Sequence, residues 1–216
     1  MIKTIILDLD GPIINSQLRH YTCYSQFLEK YGYIPVTLEK YWQMKRNCVD
    51  IRQQLEVSGA AEIHQEFLEA WLKHIENPDM LRLDCLQLGV LDKLQEWRFQ
   101  ELNLVLATMR RSSNNLNQQL INLGLDTWFD SVAVCEHNLG GKGKVQKVKQ
   151  LVADISPTNV IWIGDSEIDI QAARFFGCPI WAVTCGIRSE AVLASWSPDF
   201  ISPALTQVDL RYCREH

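Results

Sequence analysis

The 216-residue sequence lacks any apolar run that approaches the roughly 18 residues needed to cross a membrane. Its first apolar run, residues 5–7, ends at Asp8 and is too short for the hydrophobic region of a secretory signal peptide. Positive charge is also scarce, since 21 Lys and Arg residues against 26 Asp and Glu residues leave a net charge of −5. Nonspecific nucleic-acid binding depends on neutralising phosphates. We therefore expect a soluble cytoplasmic protein with no nucleic-acid and no membrane partner.

Paired metal-ligand motifs are absent as well. The seven cysteines are scattered singly, and neither Cys-x-x-Cys nor His-Glu-x-x-His occurs. These are the ligand spacings of many zinc sites. An odd number of dispersed cysteines is typical of a reducing compartment, in which thiols stay free. We expect neither structural zinc nor a disulfide framework.

Short apolar runs recur along the chain, and each ends in polar or glycine residues. Six of them are predicted strands, at residues 2–7, 102–107, 131–134, 160–163, 180–183 and 200–201. Amphipathic helical patterns lie between them, including one that runs from Leu86 to Trp97. Apolar strands that alternate with helices predict an α/β fold with a Rossmann-like parallel sheet, covered by helices on both faces.

Residues 16–84 interrupt this alternation. They contain no convincing strand, but apolar residues at helical spacing occur near both ends of the segment, for example at Tyr21 and Leu28 and at Leu68 and Trp71. Gly32, the prolines and Gly59 divide the segment into short pieces. We predict three to five helices that are inserted after the first strand.

Polar side chains stand directly after the predicted strands. Asp8 and Asp10 follow the first strand, Thr108 follows the second and Asp165 follows the fourth. In open parallel sheets the ligand crevice lies beyond the carboxyl ends of the strands. Asp169 lies one helical turn after Asp165, so both carboxylates face the same way if a helix begins there. The pattern predicts several carboxylates and one hydroxyl in a single crevice.

Clustered carboxylates repel one another and raise each other's pKa. A divalent cation with oxygen ligands offsets that repulsion, and Mg²⁺ is the common ion that also keeps waters for a phosphate. Lys142, in the glycine-rich stretch 140–144, offers a second positive charge. Lys144 in the same stretch is an alternative.

In their order and spacing these motifs resemble the haloacid dehalogenase-like phosphohydrolase superfamily, in its phosphoglycolate phosphatase-like and β-phosphoglucomutase-like branch. The matching segments are DLDGPI at residues 8–13, LVLAT at 104–108, Lys142, and IGDSEIDI at 163–170. The resemblance implies a Rossmann-like catalytic core at residues 1–15 and 85–216 and an α-helical cap at 16–84. Pro12 and Asn15 depart from the residues usual in the family, which affects the subgroup and the substrate more than the chemistry.

The resemblance also implies the roles of individual residues. Asp8 would attack phosphorus and form an aspartyl-phosphate, and Asp10 would act as general acid and then general base. Thr108 would bind a phosphoryl oxygen, and Lys142 would neutralise charge. The implied magnesium ligands are Asp8, the backbone carbonyl of Asp10, and Asp165. Asp169 would contribute through a water molecule or by holding the lysine. The implied activity is Mg²⁺-dependent hydrolysis of a small phosphorylated metabolite.

Five residues are predicted to contact the substrate: Gly11, Met109, Arg110, Lys45 and Arg46. For Lys45 and Arg46 a solvated helix face is the more common alternative for a basic pair. Two other functions remain open, a sugar-phosphate mutase of the same superfamily and a catalytically weak relative that binds a partner. A dinucleotide-binding turn and a P-loop are excluded, because residues 10–13 lack the glycine pattern and Gly143 stands where a P-loop needs Ser or Thr.

Overall fold

Strands and helices alternate over most of the chain. A computed structural model describes residues 1–135, 139–152 and 155–214, and within them the strands are β1 (Thr4–Leu7), β2 (Ile14–Asn15), β3 (Cys85–Leu86), β4 (Asn103–Met109), β5 (Ser131–Cys135), β6 (Val160–Gly164), β7 (Ile180–Val183) and β8 (Phe200–Ser202). The helices are α1 (Gln17–Lys30), α2 (Leu38–Arg46), α3 (Ile51–Glu56), α4 (His64–His74), α5 (Pro78–Leu81), α6 (Val90–Phe99), α7 (Ser113–Asn122), α8 (Gly140–Leu151), α9 (Glu167–Phe176) and α10 (Glu190–Ser195).

Six of the strands form one parallel sheet in the order β5-β4-β1-β6-β7-β8. Side chains alternate between its faces, so that Ile5 and Leu7 join one apolar cluster and Ile6 joins the other. The first cluster includes residues of α6 and α7, and the second includes residues of α8 and α9. Burial on both faces explains why the strands read as continuous apolar runs. The predicted α/β fold class is confirmed.

Helices α1 to α5 lie outside the sheet, and we call residues 16–84 the helical insert. Helices α1 to α4 pack around a cluster of their own, in which Tyr24, Tyr41 and Phe67 are buried. The Tyr24 and Tyr41 rings stack with their centroids 4.5 Å apart. The chain leaves and re-enters the core through β2 and β3, which pair as a short antiparallel ribbon. The two chain connections between the insert and the core therefore lie side by side.

One predicted boundary was wrong. The helix predicted to begin at Leu86 starts four residues later, because Leu86 pairs with Ile14 in the β2–β3 ribbon. Gly89 then adopts a left-handed conformation with φ of 71° directly before α6, a turn that favours glycine. No helix of the described residues is long and apolar enough to cross a membrane.

Candidate active site

Three aspartate side chains converge at the carboxyl ends of β1 and β6. These strands are parallel neighbours, and Asp8 and Asp165 are the first residues after them. Asp169 lies in the first turn of α9. One oxygen from each of the three carboxylates lies within 4.8 Å of the others. The structure thus brings together the three aspartates that the strand ends and the spacing between Asp165 and Asp169 predicted.

The ammonium group in contact with these carboxylates belongs to Lys144. The prediction that Lys142 supplies this positive charge was wrong. Lys144 Nζ lies 2.7 Å from Asp169 Oδ1 and 3.1 Å from Asp8 Oδ1, and its side chain is 1% exposed. The exposed Lys142 has its ammonium 5.3 Å from the centroid of the Phe175 ring. Burial alone lowers the pKa of Lys144, but Asp169 and Asp8 outweigh it and hold the pKa above its usual value. Lys144 is therefore charged.

Helical phase explains this correction. The glycine-rich stretch is not a loop before a helix, because α8 already begins at Gly140. Positions 141, 144, 145 and 148 are buried at the spacing of one helix face, and Gly143 is buried against Leu139. Position 142 is exposed. The first turn of α8 therefore directs the second lysine of the stretch into the site.

Asp169 holds the lysine in place. Its Oδ1 accepts a hydrogen bond from Lys144 Nζ, and its Oδ2 accepts one from Ser166 Oγ at 2.6 Å. The side chain is completely buried. Because both oxygens have protein donors, Asp169 acts here as an anchor for Lys144.

Asp165 lies in a narrow space between two glycines. Its Oδ2 accepts a hydrogen bond from Ile187 N at 2.5 Å. A Cβ at Gly11 would lie 2.2 Å from this oxygen, and a Cβ at Gly186 would lie 1.8 Å from it. Both glycines therefore permit a close approach of backbone to carboxylate. Gly11 lies against the Asp165 side chain, and its contact with substrate stays a prediction.

Replacing Gly186 with alanine is expected to displace Asp165. The new Cβ would also lie 2.5 Å from Asp165 Cγ and 2.7 Å from its Cβ, so rotation of the carboxylate cannot relieve the contact. We expect Mg²⁺ affinity to fall by about 10–100-fold, as for other changes next to metal ligands. Calorimetric titration with Mg²⁺ measures this. Gly32→Ala is the control, because it strains the backbone at a φ of 80° but places its Cβ near no neighbour and far from the carboxylates; equal affinities in both variants would contradict the prediction.

The donor set fits a divalent cation. Burial raises the pKa of Asp8 to about 7, and Asp169 and Asp10 add to the effect against the opposition of Lys144. Burial, followed by Asp8 and Asp169, likewise raises the pKa of Asp165 well above its usual value. The single positive charge of Lys144 does not compensate for the closely spaced carboxylates of Asp8, Asp165 and Asp169. Oxygen ligands of this kind are those that Mg²⁺ prefers, and Asp8 and Asp165 are the side chains placed to hold it.

Asp10 lies between two arginines. Arg110 Nη1 donates to Asp10 Oδ2, and Arg19 Nη2 donates to Asp10 Oδ1. Arg19 Nε also donates to the buried Asp84 at 3.0 Å. Burial raises the pKa of Asp10, but Arg110 and Arg19 together hold it well below its usual value. Asp10 is therefore ionised in this arrangement.

Arg19 was not found from the sequence, although a signal for it exists. It occupies the buried face of α1 together with Cys23, four residues on, and Tyr24. A charged residue on the buried face of an amphipathic helix requires a buried partner. The identity of that partner follows only from the fold, because Asp10 and Asp84 come from the two chain connections between the insert and the core.

A cavity of about 260 Å³ opens above these groups. Its lining includes Asp8, Asp10, Thr108, Met109, Arg110 and Trp71. Among the described residues, Arg110 Nε and Nη2 are buried and have no hydrogen-bond partner. The cavity thus combines the carboxylates with a hydroxyl and with the Arg110 side chain, two of whose N–H donors are buried and unpaired in the described residues.

Lys45 and Arg46 lie at the contact between the insert and the core. Lys45 Nζ is 5.0 Å from the centroid of the Trp71 ring, and burial followed by Arg188 lowers its pKa to about 8. Arg46 Nη2 donates to the Thr184 carbonyl at 2.8 Å. Neither side chain is simply solvated, and a contact with substrate stays a prediction for both.

Several known proteins are similar to this chain. The chain matches the family model described as haloacid dehalogenase-like hydrolase over residues 5–183. It is 28% identical to phosphoglycolate phosphatase from Synechococcus elongatus, over 92% of each protein. Its fold is similar to that of a haloacid dehalogenase-like hydrolase from Streptococcus pneumoniae (TM-score 0.76, 20% identity, 98% of both chains). It is also similar to that of β-phosphoglucomutase from Clostridium difficile (TM-score 0.68, 20% identity, 100% of this chain and 96% of the other). Because the family model spans most of the chain, this protein belongs to the haloacid dehalogenase-like hydrolases, as its motifs predicted.

Proposed function

We propose that this protein is a Mg²⁺-dependent phosphohydrolase that cleaves small phosphorylated metabolites through an aspartyl-phosphate on Asp8. The observation that supports it best is the Asp8 carboxylate, which faces the cavity with Lys144 on one oxygen and with Asp10 and Asp165 beside it. Phosphoryl transfer depends mainly on positioning and on neutralising charge. This set of groups supplies both.

In the first half of the reaction, an Asp8 oxygen bonds to phosphorus while the bond from phosphorus to the leaving oxygen breaks, and that oxygen takes a proton from Asp10. In the second half, Asp10 takes a proton from water, the resulting hydroxide attacks phosphorus, and the bond to Asp8 breaks. Bound Mg²⁺ would supply positive charge for the phosphoryl oxygens. In this proposal Lys144 neutralises Asp8 throughout, and Thr108, which lines the cavity, binds a phosphoryl oxygen.

Asp10 needs both protonation states in this scheme. Its two arginines favour the ionised form, which suits the base of the second half. To act as the acid of the first half, Asp10 must be protonated. A protonated carboxyl group no longer attracts both guanidinium groups, so at least one of the two arginine contacts must be released. We propose that substrate oxygens compete for Arg110, whose Nε and Nη2 already lack partners in the described residues.

We propose that the helical insert is a cap over the site. Glu76 of the insert accepts hydrogen bonds from Arg111 N and Ser112 N of the core through its Oε2, at 2.8 and 3.2 Å. Trp71 and Ile75 of the insert line the cavity. A cavity closed in this way excludes water before Asp8 reacts and admits only a small substrate. Phosphoglycolate, named in the Synechococcus relative, belongs to that size class and is the first compound to test.

Removal of divalent cations is expected to abolish phosphate release. Without a cation the carboxylates repel both one another and the phosphate. A phosphate-release assay on phosphoglycolate, other small monoesters and an aryl phosphate, before and after exhaustive chelation, measures this, and added Mg²⁺ should restore the rate. Activity that survives chelation would contradict the metal assignment.

Asp10→Asn is expected to lower turnover by about 10²–10⁴-fold, the usual contribution of general acid–base catalysis. The amide keeps the shape of the side chain but transfers no proton. Because the nucleophile remains, the variant should still form aspartyl-phosphate slowly, which mass spectrometry of a quenched reaction detects. A folded variant with unchanged turnover would remove Asp10 from this role.

A sugar-phosphate mutase remains the second candidate, and the similarity of the fold to β-phosphoglucomutase is the observation in its favour. The two functions differ in what accepts the phosphoryl group. Incubation with hexose phosphates distinguishes them, because a mutase yields an isomeric sugar phosphate whereas a phosphatase yields free phosphate.

A further inference from the structure

The loop between β7 and α10, residues 184–189, contacts the helical insert through three hydrogen bonds. Arg46 Nη2 donates to Thr184 O at 2.8 Å, Ser189 N donates to Arg46 O at 2.9 Å, and Arg188 Nη1 donates to Lys45 O at 3.2 Å. Lys45 and Arg46 are the last two residues of α2. The carbonyl groups at a helix C-terminus carry partial negative charge, which a guanidinium group from the core complements.

The same loop holds the carboxylate that is placed to bind the cation. Ile187 N donates to Asp165 Oδ2 at 2.5 Å, and Gly186 lies against the same side chain. Arg188 donates twice to Glu167, from Nε and Nη2, at 2.7 Å each. Glu167 follows Asp165 by two residues and begins α9. The loop therefore contacts the carboxylate cluster and the insert at the same time.

We propose that Arg188 is a positioning residue that couples docking of the helical insert to the orientation of Asp165. The planar guanidinium group of Arg188 bridges the core and the insert. Two of its N–H groups donate to Glu167 of the core, and a third donates to Lys45 O of the insert. Ile187, which holds Asp165, is the adjacent residue in the chain. When α2 moves away, Arg188 loses one of its anchors and the loop loses its fixed position against Asp165.

The coupling works in both directions. If a docked insert favours the orientation of Asp165 that binds the cation, then the bound cation must favour the docked insert by the same free energy. Metal added at the sheet end should therefore slow hydrogen exchange in α2, although α2 supplies none of the three carboxylates. This inference rests on the proposed function only in taking Asp165 as a metal ligand, and it needs no turnover to be tested.

The test is hydrogen exchange of residues 38–47 with and without Mg²⁺, together with the calorimetric Kd for Mg²⁺, in the wild type, Arg188→Gln and Arg188→Lys. Arg211→Gln is the matched control, because Arg211 also pairs with both oxygens of a carboxylate, Asp209, outside the loop and the insert. Lysine keeps the charge of Arg188 but lacks the planar fork that reaches three acceptors. Arg188→Lys also carries the test if Arg188→Gln does not fold.

We expect Mg²⁺ to slow exchange in α2 of the wild type and of Arg211→Gln. In both Arg188 variants this protection should be lost, and the Kd for Mg²⁺ should rise by about fivefold or more. A merely structural role would speed exchange in α2 equally with and without Mg²⁺ and leave the Kd within twofold of the wild type, and that result would overturn the proposal. Failure to hydrolyse any phosphate ester, with the metal-dependent protection intact, would instead contradict the proposed function alone.

Discussion

Lys144→Met is expected to lower kcat/KM for phosphate monoesters by about 10³-fold. The ammonium is the one cation in direct contact with Asp8 and Asp169 among the described residues, and removal of one preorganised electrostatic group at a reacting centre commonly costs about 10²–10³-fold. The loss is at the upper end here, because Asp8 also loses the charge that opposes the rise of its pKa next to other carboxylates. Steady-state kinetics with Mg²⁺ and an aryl phosphate measure the effect.

The same substitution should also destabilise the fold. Lys144 is 1% exposed and pairs with two buried carboxylates, and removing one partner of a buried ion pair costs about 3–5 kcal/mol. Lys142→Met is the matched control, because Lys142 is exposed above the Phe175 ring. It should keep both the activity and the stability of the wild type. If the two variants exchanged these outcomes, the assignment of Lys144 would be wrong.

Asp8→Asn is expected to abolish turnover, by about 10⁴-fold or more, which is the scale of losing a covalent nucleophile. No other described carboxylate can replace it, since Asp165 lies against Ile187 N, Asp169 is held by Lys144 and Ser166, and Asp10 is held by arginines. A phosphate-release assay measures the loss, and trapping experiments should find no aspartyl-phosphate. Near-wild-type turnover in the folded variant would contradict the role of Asp8 as nucleophile.

In contrast to Lys144→Met, this variant should be at least as stable as the metal-free wild type at neutral pH. Burial raises the folded-state pKa of Asp8 from 3.8 to about 7. A carboxyl group with a raised folded pKa stabilises the fold at low pH, and this contribution is lost as pH rises from about 4 to 7. The stability difference between Asp8→Asn and the wild type should therefore grow across this interval. Thermal melts in chelator at several pH values test it, and a difference independent of pH would contradict the raised pKa.

The positions of the strands and of the three aspartates follow from local sequence. Continuous apolar runs mark strands that are buried on both faces, and parallel strands end at one edge of their sheet. Asp8 and Asp165, each directly after such a run, are therefore brought together by the order of the elements alone. The spacing between Asp165 and Asp169 added the third carboxylate through one turn of α9.

Other features of the site depend on where distant segments meet. The choice between Lys142 and Lys144 turned on whether α8 begins at Gly140 or after the glycines, because a shift of two residues turns a helix position by more than half a turn. Local propensity does not settle that start, since glycine is a poor helix former. Packing of α8 against α9 and the sheet does.

The arginines around Asp10 and the contacts of the insert were likewise decided by tertiary structure. Arg19 is nine residues from Asp10 in the chain, but Arg110 is a hundred residues away. Arg188 donates to the Lys45 carbonyl across a sequence separation of 143 residues. A sequence shows that a charged residue on an apolar helix face needs a partner, but a partner outside the same helix or strand follows only from how the elements pack. For this protein the sequence by itself determined the sheet and its carboxylates, since both depend on local periodicity and strand order. The tertiary structure alone decided which cations face them, because ion pairs form between side chains that folding brings together.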